Sequence, residues 1–200
     1  MLTPNLKSFS RIASWTCDLD RSFHPPAGDR NMNKTFEAWN EMEPEAALSH
    51  ILHCCTAHHW AEALVAQRPF ASEDALFLAA DAVWSTMREP DWIEAFRAHP
   101  RIGERKAAHA SALSTAWSSQ EQASAQTAVA EVLDRIAAGN RRYEELFGFT
   151  YIVCATGKTM PEMLTILESR LIRDRETELR EAADQQRQIM QIRLRKWLQA

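Results

Sequence analysis

The stretch SSQEQASAQTAVAEVLDRI, residues 118–136, decides the fold class. Ser118 and Glu121 stand at the two ends of an S-x-x-E capping box. In that motif the serine oxygen takes a backbone N–H of the first turn, and the glutamate reaches back to the N–H of the serine. Behind the box, Ala125, Val129, Val132, Leu133 and Ile136 recur every three or four residues, which gathers them on one face of a helix. The same grammar extends in both directions. Downstream, Thr159-Met160-Pro161-Glu162 is a second capping box with proline in the first turn, and it opens C-terminal helices that run to about Leu198 with a break near Arg173. Upstream, Pro44 opens a helix through Cys55, a second helix covers His58–Gln67 and ends near Pro69, and a third starts after Ser72 as N-cap with Asp74 in its first turn. A short helix precedes Ala98, and the loop His99-Pro100-Arg101-Ile102-Gly103 follows it.

Good helix formers dominate, and the chain has only five glycines. The one strand-like run is Phe149–Ala155, and a single run makes no sheet. The expected fold is therefore all-α, one compact multi-helix domain over residues 32–200. Residues 1–31, with Pro25-Pro26 and no sustained period, form a weakly ordered N-terminal extension in this reading. Charged residues are 25% and the net charge is −4, which speaks against nucleic acid or an anionic membrane as partner. No apolar run reaches the roughly 18–20 residues that span a bilayer. The four cysteines, Cys17, Cys54, Cys55 and Cys154, form no C-x-x-C pair and suit reduced thiols in the cytoplasm.

Three residues are candidates for chemistry. His99 lies in an interhelical loop with its backbone steered toward extended geometry by Pro100, and an ordinary histidine titrates near neutrality. Glu121 is explained by its capping role, yet the helix start it belongs to also offers free N–H groups to an anion, with Ser118 and Gln122 beside it. Arg193 stands between Ile192 and Leu194 and has the forked shape that matches a carboxylate. A fourth feature is the cluster His50, His53, Cys54, Cys55, His58 and His59. It invites a zinc reading, but it lacks an H-E-x-x-H pattern and a second ligand pair, so the expectation is no metal.

Taken in order, Cys54-Cys55 with Trp60-Ala61, Arg68-Pro69-Phe70, Ala98-His99-Pro100-Arg101-Ile102-Gly103, Ser118-x-x-Glu121-Gln122, Phe147-Gly148-Phe149, Ala155-x-Gly157-Lys158, Arg170-Leu171 and Ile192-Arg193-Leu194 resemble the family of 2-oxo-4-hydroxy-4-carboxy-5-ureidoimidazoline (OHCU) decarboxylases. The resemblance covers about Phe36 to Leu198. It implies a helical, usually dimeric enzyme that needs no cofactor and converts OHCU to (S)-allantoin in urate breakdown. His99 then matches the catalytic histidine, Glu121 the catalytic glutamate and Arg193 the C-terminal substrate arginine. Pro100, Ser118, Ser119, Gln120, Glu121 and Gln122, and the backbone of Tyr151, Ile152, Val153, Cys154 and Ala155, match substrate contacts. Thr56-Ala57 replaces the family's usual Gly-Ser, and residues 1–31 have no family counterpart. Two other classes remain for comparison: a helical interaction module without catalysis, and a zinc hydrolase built on the His50–His59 cluster.

Overall fold

The computed structural model describes residues 33–103 and 119–200, the side chains of 119–128 excepted. The chain divides into two units, Met1–Met32 and Asn33–Ala200, and every helix given below belongs to the second. The expectation for residues 1–31 and the cap at Ser118 lie outside the described residues.

Eight helices and no strand occur among the described residues: α1 Lys34–Glu41, α2 Pro44–Leu52, α3 His58–Val65, α4 Glu73–Thr86, α5 Glu89–Arg97, α6 Ser119–Phe147, α7 Met160–Arg170 and α8 Arg175–Leu198. None of them is long and apolar enough to cross a membrane. Local signals set several of the ends. Ser72 accepts the N–H of Ala75, and Thr159 and Glu162 close a complete capping box around Pro161. Asp174 caps α8, which places the expected break between Arg170 and Arg175.

One expectation changes and one holds. Helix α2 stops at Leu52, and Cys54 and Cys55 fall in the turn that follows, where both are buried. The apolar run Phe149–Ala155 joins no sheet, as expected; its buried residues Tyr151–Cys154 are held by side chains of the helices.

Helix α8 packs against α1, α4, α5 and α6, while α7 lies on α6 and α3 lies between α2 and α4. Three buried indoles tie neighbouring segments by donating to backbone carbonyls: Trp39 to Ala47, Trp60 to Ala80 on α4, and Trp84 to Ala183 on α8. Buried Trp and Tyr usually find such a partner, because an unpaired polar atom in a core is costly. Gly139 lets α6 lie against α7, since a Cβ there would sit 2.6 Å from the Leu167 side chain.

Inside this apolar frame lies a charged cluster. Arg170 at the end of α7 and Glu178 in α8 are 1% and 0% exposed and form an ion pair, with the Arg170 Nε 2.6 Å from the Glu178 carboxylate. The Tyr143 hydroxyl of α6 donates to the same carboxylate oxygen, and Arg170 Nη1 donates to the carbonyl of Ile152 at 2.8 Å. The guanidinium also lies over the Tyr151 ring, 5.0 Å from its centroid. Burial pushes the Tyr151 phenol up to about 12 and that of Tyr143 higher still, so both keep their protons. Removing one partner of such a pair strands the other charge in low dielectric. The Arg170→Met variant should therefore lose about 3–5 kcal/mol in urea unfolding, and Arg170→Met/Glu178→Leu should recover most of that loss. A single variant as stable as the parent would contradict the role given to the pair.

Candidate active site

The loop after α5 brings the first candidate side chain, His99. Helix α5 ends at Arg97, the His99 N–H returns to the Phe96 carbonyl at 3.0 Å, and Pro100 cannot continue a helix. Gly103 then adopts φ +90°, a backbone region that disfavours a β-carbon. Two contacts to α6 fix the loop: Asn140 donates to the Ile102 carbonyl at 2.8 Å, and Arg101 forks onto Glu144 at 2.8 and 2.7 Å. That fork holds the Glu144 carboxyl below the usual carboxylate range.

The segment Phe149–Ala155 supplies a second wall through Val153, Cys154 and Ala155. Several of its backbone groups are taken by side chains. The Ile152 carbonyl is taken by Arg170, the Cys154 N–H donates to Gln185 Oε1 at 2.8 Å, and the Cys154 carbonyl accepts from Lys158 Nζ at 2.8 Å. The third wall is α8, where Ile189, Ile192, Arg193 and Lys196 share a face because their spacings of three and four match the helical turn.

Between these walls is a cavity of about 430 Å³ lined by His99, Pro100, Val153, Cys154, Ala155 and Arg193, among others. Its electrostatics are cationic and partly dry. Arg193 is half-buried and donates to the Cys54 carbonyl at 3.4 Å. Burial pushes the nearby Cys54 and Cys55 thiols up to about 12 and about 11, which keeps both protonated and unreactive. His99 is lowered to about 4, first because burial disfavours the imidazolium and second because Arg193 repels it. This corrects the sequence-based expectation of a near-neutral histidine. At neutral pH the ring is uncharged and has a lone pair to offer.

The structure thus brings together His99, Pro100, Val153, Cys154, Ala155 and Arg193 from three separated stretches. Tyr151 and Ile152 are buried and do not line the cavity; the Tyr151 hydroxyl donates to the Met163 carbonyl at 3.3 Å. Ser118 lies outside the described residues, as do the side chains of Ser119, Gln120, Glu121 and Gln122. Sequence reading passed over Lys196, Gln185 and Gln186. Lys196 was findable, since it lies three residues after Arg193 on one helix. The His50–His59 cluster does not converge: Cys54 and Cys55 turn inward, the histidines are exposed, and His58 and His59 pair with Glu94 and Asp91.

An all-helical domain with a small cavity, lined by a neutral histidine and cationic side chains, has the chemistry to hold a small anion beside an uncharged base. A family model for OHCU decarboxylase matches residues 40–195. The uric acid degradation bifunctional protein TTL of Arabidopsis thaliana is 34% identical over 144 residues, which cover 72% of this chain and 44% of that protein. The chain therefore spans less than half of that relative. A 2-oxo-4-hydroxy-4-carboxy-5-ureidoimidazoline decarboxylase of Haloferax volcanii is 32% identical over 67% of this chain and 77% of its own length. Among solved structures, an OHCU decarboxylase crystallised in the presence of (S)-allantoin superposes with a TM-score of 0.60 at 28% identity, over 80% of this chain and 100% of that one. An (S)-allantoin synthase at 18% identity shares the fold, with a TM-score of 0.58 over 81% of this chain and 53% of its own. The chain belongs to the OHCU decarboxylase family.

The buried position of the imidazole is directly measurable. In a ¹⁵N NMR titration of histidine-labelled protein, His99 should stay neutral through pH 6 and titrate near 4. A midpoint near the ordinary value of about 6.5 would mean that the ring is solvated.

Proposed function

We propose that this chain decarboxylates OHCU to (S)-allantoin, with His99 as the proton-transfer residue and Arg193 as the oxygen-binding cation. The observation that carries the reading is the placement of His99 and Arg193 on one cavity in a member of this family. Three free, buried cysteines, Cys54, Cys55 and Cys154, suit a reducing cytoplasm, and the family resemblance supports a homodimer.

The substrate's ring carbon carries both a carboxylate and a hydroxyl, and the neighbouring ring carbon is double-bonded to nitrogen. When CO₂ leaves, the C–C bonding pair forms a new ring double bond, and the C=N pair moves onto nitrogen, which takes a proton from solvent. The substrate is its own electron sink, so no metal or organic cofactor enters the proposal. His99, neutral in the resting protein, accepts the hydroxyl proton as that carbon becomes a carbonyl. The imidazolium so formed returns the proton to the neighbouring carbon on one face, which sets the stereocentre. Net uptake is one proton for each CO₂ released. Negative charge moves from the carboxylate to the ring during the step. Arg193 therefore speeds the reaction only so far as it touches an oxygen that gains charge, and otherwise contributes to binding. Glu121, as an orienting group for the ureido and hydroxyl substituents, completes the proposal. The helical interaction module has no use for a histidine held on a cationic cavity, and the zinc hydrolase has no converging ligand set among the described residues.

Substituting His99→Asn should lower kcat by roughly 10²–10⁴-fold with the fold intact by circular dichroism. Arg193→Ala should raise KM, with any fall in kcat reporting contact with a charge-gaining oxygen. Freshly made OHCU and a no-enzyme control are required, because the compound also decays spontaneously. A fully active and stereospecific His99→Asn enzyme would move the proton work to Glu121.

A further inference from the structure

We infer that Gln186 is a positioning residue for His99: its side-chain oxygen takes the Nε2–H of the imidazole and so leaves Nδ1 as the nitrogen whose lone pair serves the cavity. The inference builds on the decarboxylase reading above and goes one step further, to the atom that handles the proton.

Gln186 is 0% exposed on α8, an expensive place for a primary amide unless both ends are paired. Its nitrogen reaches the Cys55 sulfur at 3.7 Å, which fixes the orientation of the amide and turns Oε1 away from Cys55. Oε1 is buried without a partner, and the same is true of Nε2 of His99. Orphaned polar atoms of this kind are rare in folded proteins, and here two of them belong to side chains near enough to interact, the Gln186 amide favouring the protonated imidazole. Gln186 lies seven residues before Arg193, two turns along one stripe of α8, so one helix face holds the imidazole and supplies the cation.

The tautomer follows from elementary electrostatics. With the proton on Nε2, a modest side-chain adjustment gives the amide oxygen a donor and pairs both orphans. With the proton on Nδ1, the Nε2 lone pair would face the Oε1 lone pairs, two acceptors in a dry site. A histidine's working nitrogen is set in this way by the bond that its other nitrogen makes. The reverse amide orientation would place the NH₂ on Nε2 and the imidazole proton on Nδ1, and that arrangement is the one the experiment must exclude.

The test reads the tautomer in the full chain, labelled with ¹⁵N-histidine, at neutral pH and without substrate. The His99 resonances are assigned by their loss in His99→Asn. The wild type should show the Nε2–H form. Gln186→Met should give a mixture of tautomers and a fall in kcat of about 10- to 100-fold with KM little changed, and Gln186→Glu, which keeps an oxygen acceptor, should restore the Nε2–H form. A wild-type Nδ1–H tautomer overturns the inference, and this reading stands even if Gln186→Met fails to fold. An unchanged tautomer in a folded Gln186→Met, whatever happens to kcat, makes Gln186 a packing residue only. Because the measurement needs no turnover, failure of the decarboxylase reading would show separately, as an Nε2–H protein that does not act on OHCU.

Discussion

The buried Arg170–Glu178 pair is the constraint on which the site depends. A charge removed from water is tolerated only when its remaining hydrogen-bonding capacity is met. Here Tyr143 on α6 and Arg170 at the end of α7 serve one Glu178 oxygen, the carbonyl of Ile152 serves Arg170, and Arg173 lies 3.6 Å from the second Glu178 oxygen, which has no hydrogen bond. The consequence is geometric. The segment from Phe149 to Ala155 has no strand to pair with, so Arg170 and Gln185 stand in for a ladder. They hold Cys154 and Ala155 at the cavity edge, opposite the loop of His99. Such a pair is weak support for stability compared with an apolar replacement. Its value in this fold is that it fixes one arrangement of four segments.

The cavity inherits its chemistry from that arrangement. Closing α8 over the turn of Cys54 and Cys55 removes water from the neighbourhood of Arg193 and His99 together. A guanidinium keeps its charge under these conditions, whereas an imidazole gives up its proton. The resting site therefore combines a fixed cation with an uncharged base. That combination suits a substrate arriving as a carboxylate and leaving as neutral CO₂, with a proton to be carried from oxygen to carbon.

Much of the fold was legible because its signals are local. Ser72, Pro44 and the Thr159–Glu162 box mark helix starts by hydrogen bonds made within a few residues, and these positions could be read without any tertiary knowledge. The end of α2 was not legible. No glycine or proline marks it, and the chain leaves the helix at Leu52 where Cys54 and Cys55 must both turn inward. His99 and Arg193 could be named from sequence as candidates, and the structure places both on one cavity. The depressed basicity of His99 could not be read, because it arises from burial and from a residue 94 positions away in the chain, the difference between 193 and 99. Gln186 escaped for the same reason, since a glutamine within a polar run of α8 looks solvated until its neighbours are known.

The central claim is that this cavity turns OHCU over on one stereochemical course. The most direct measurement is circular dichroism of the wild-type reaction, with OHCU generated fresh and the spontaneous decay recorded in parallel. Catalysis as described gives a signal that rises above the background in proportion to enzyme and ends at enantiopure (S)-allantoin. Product that forms at the background rate, or forms faster but as a racemate, would contradict it.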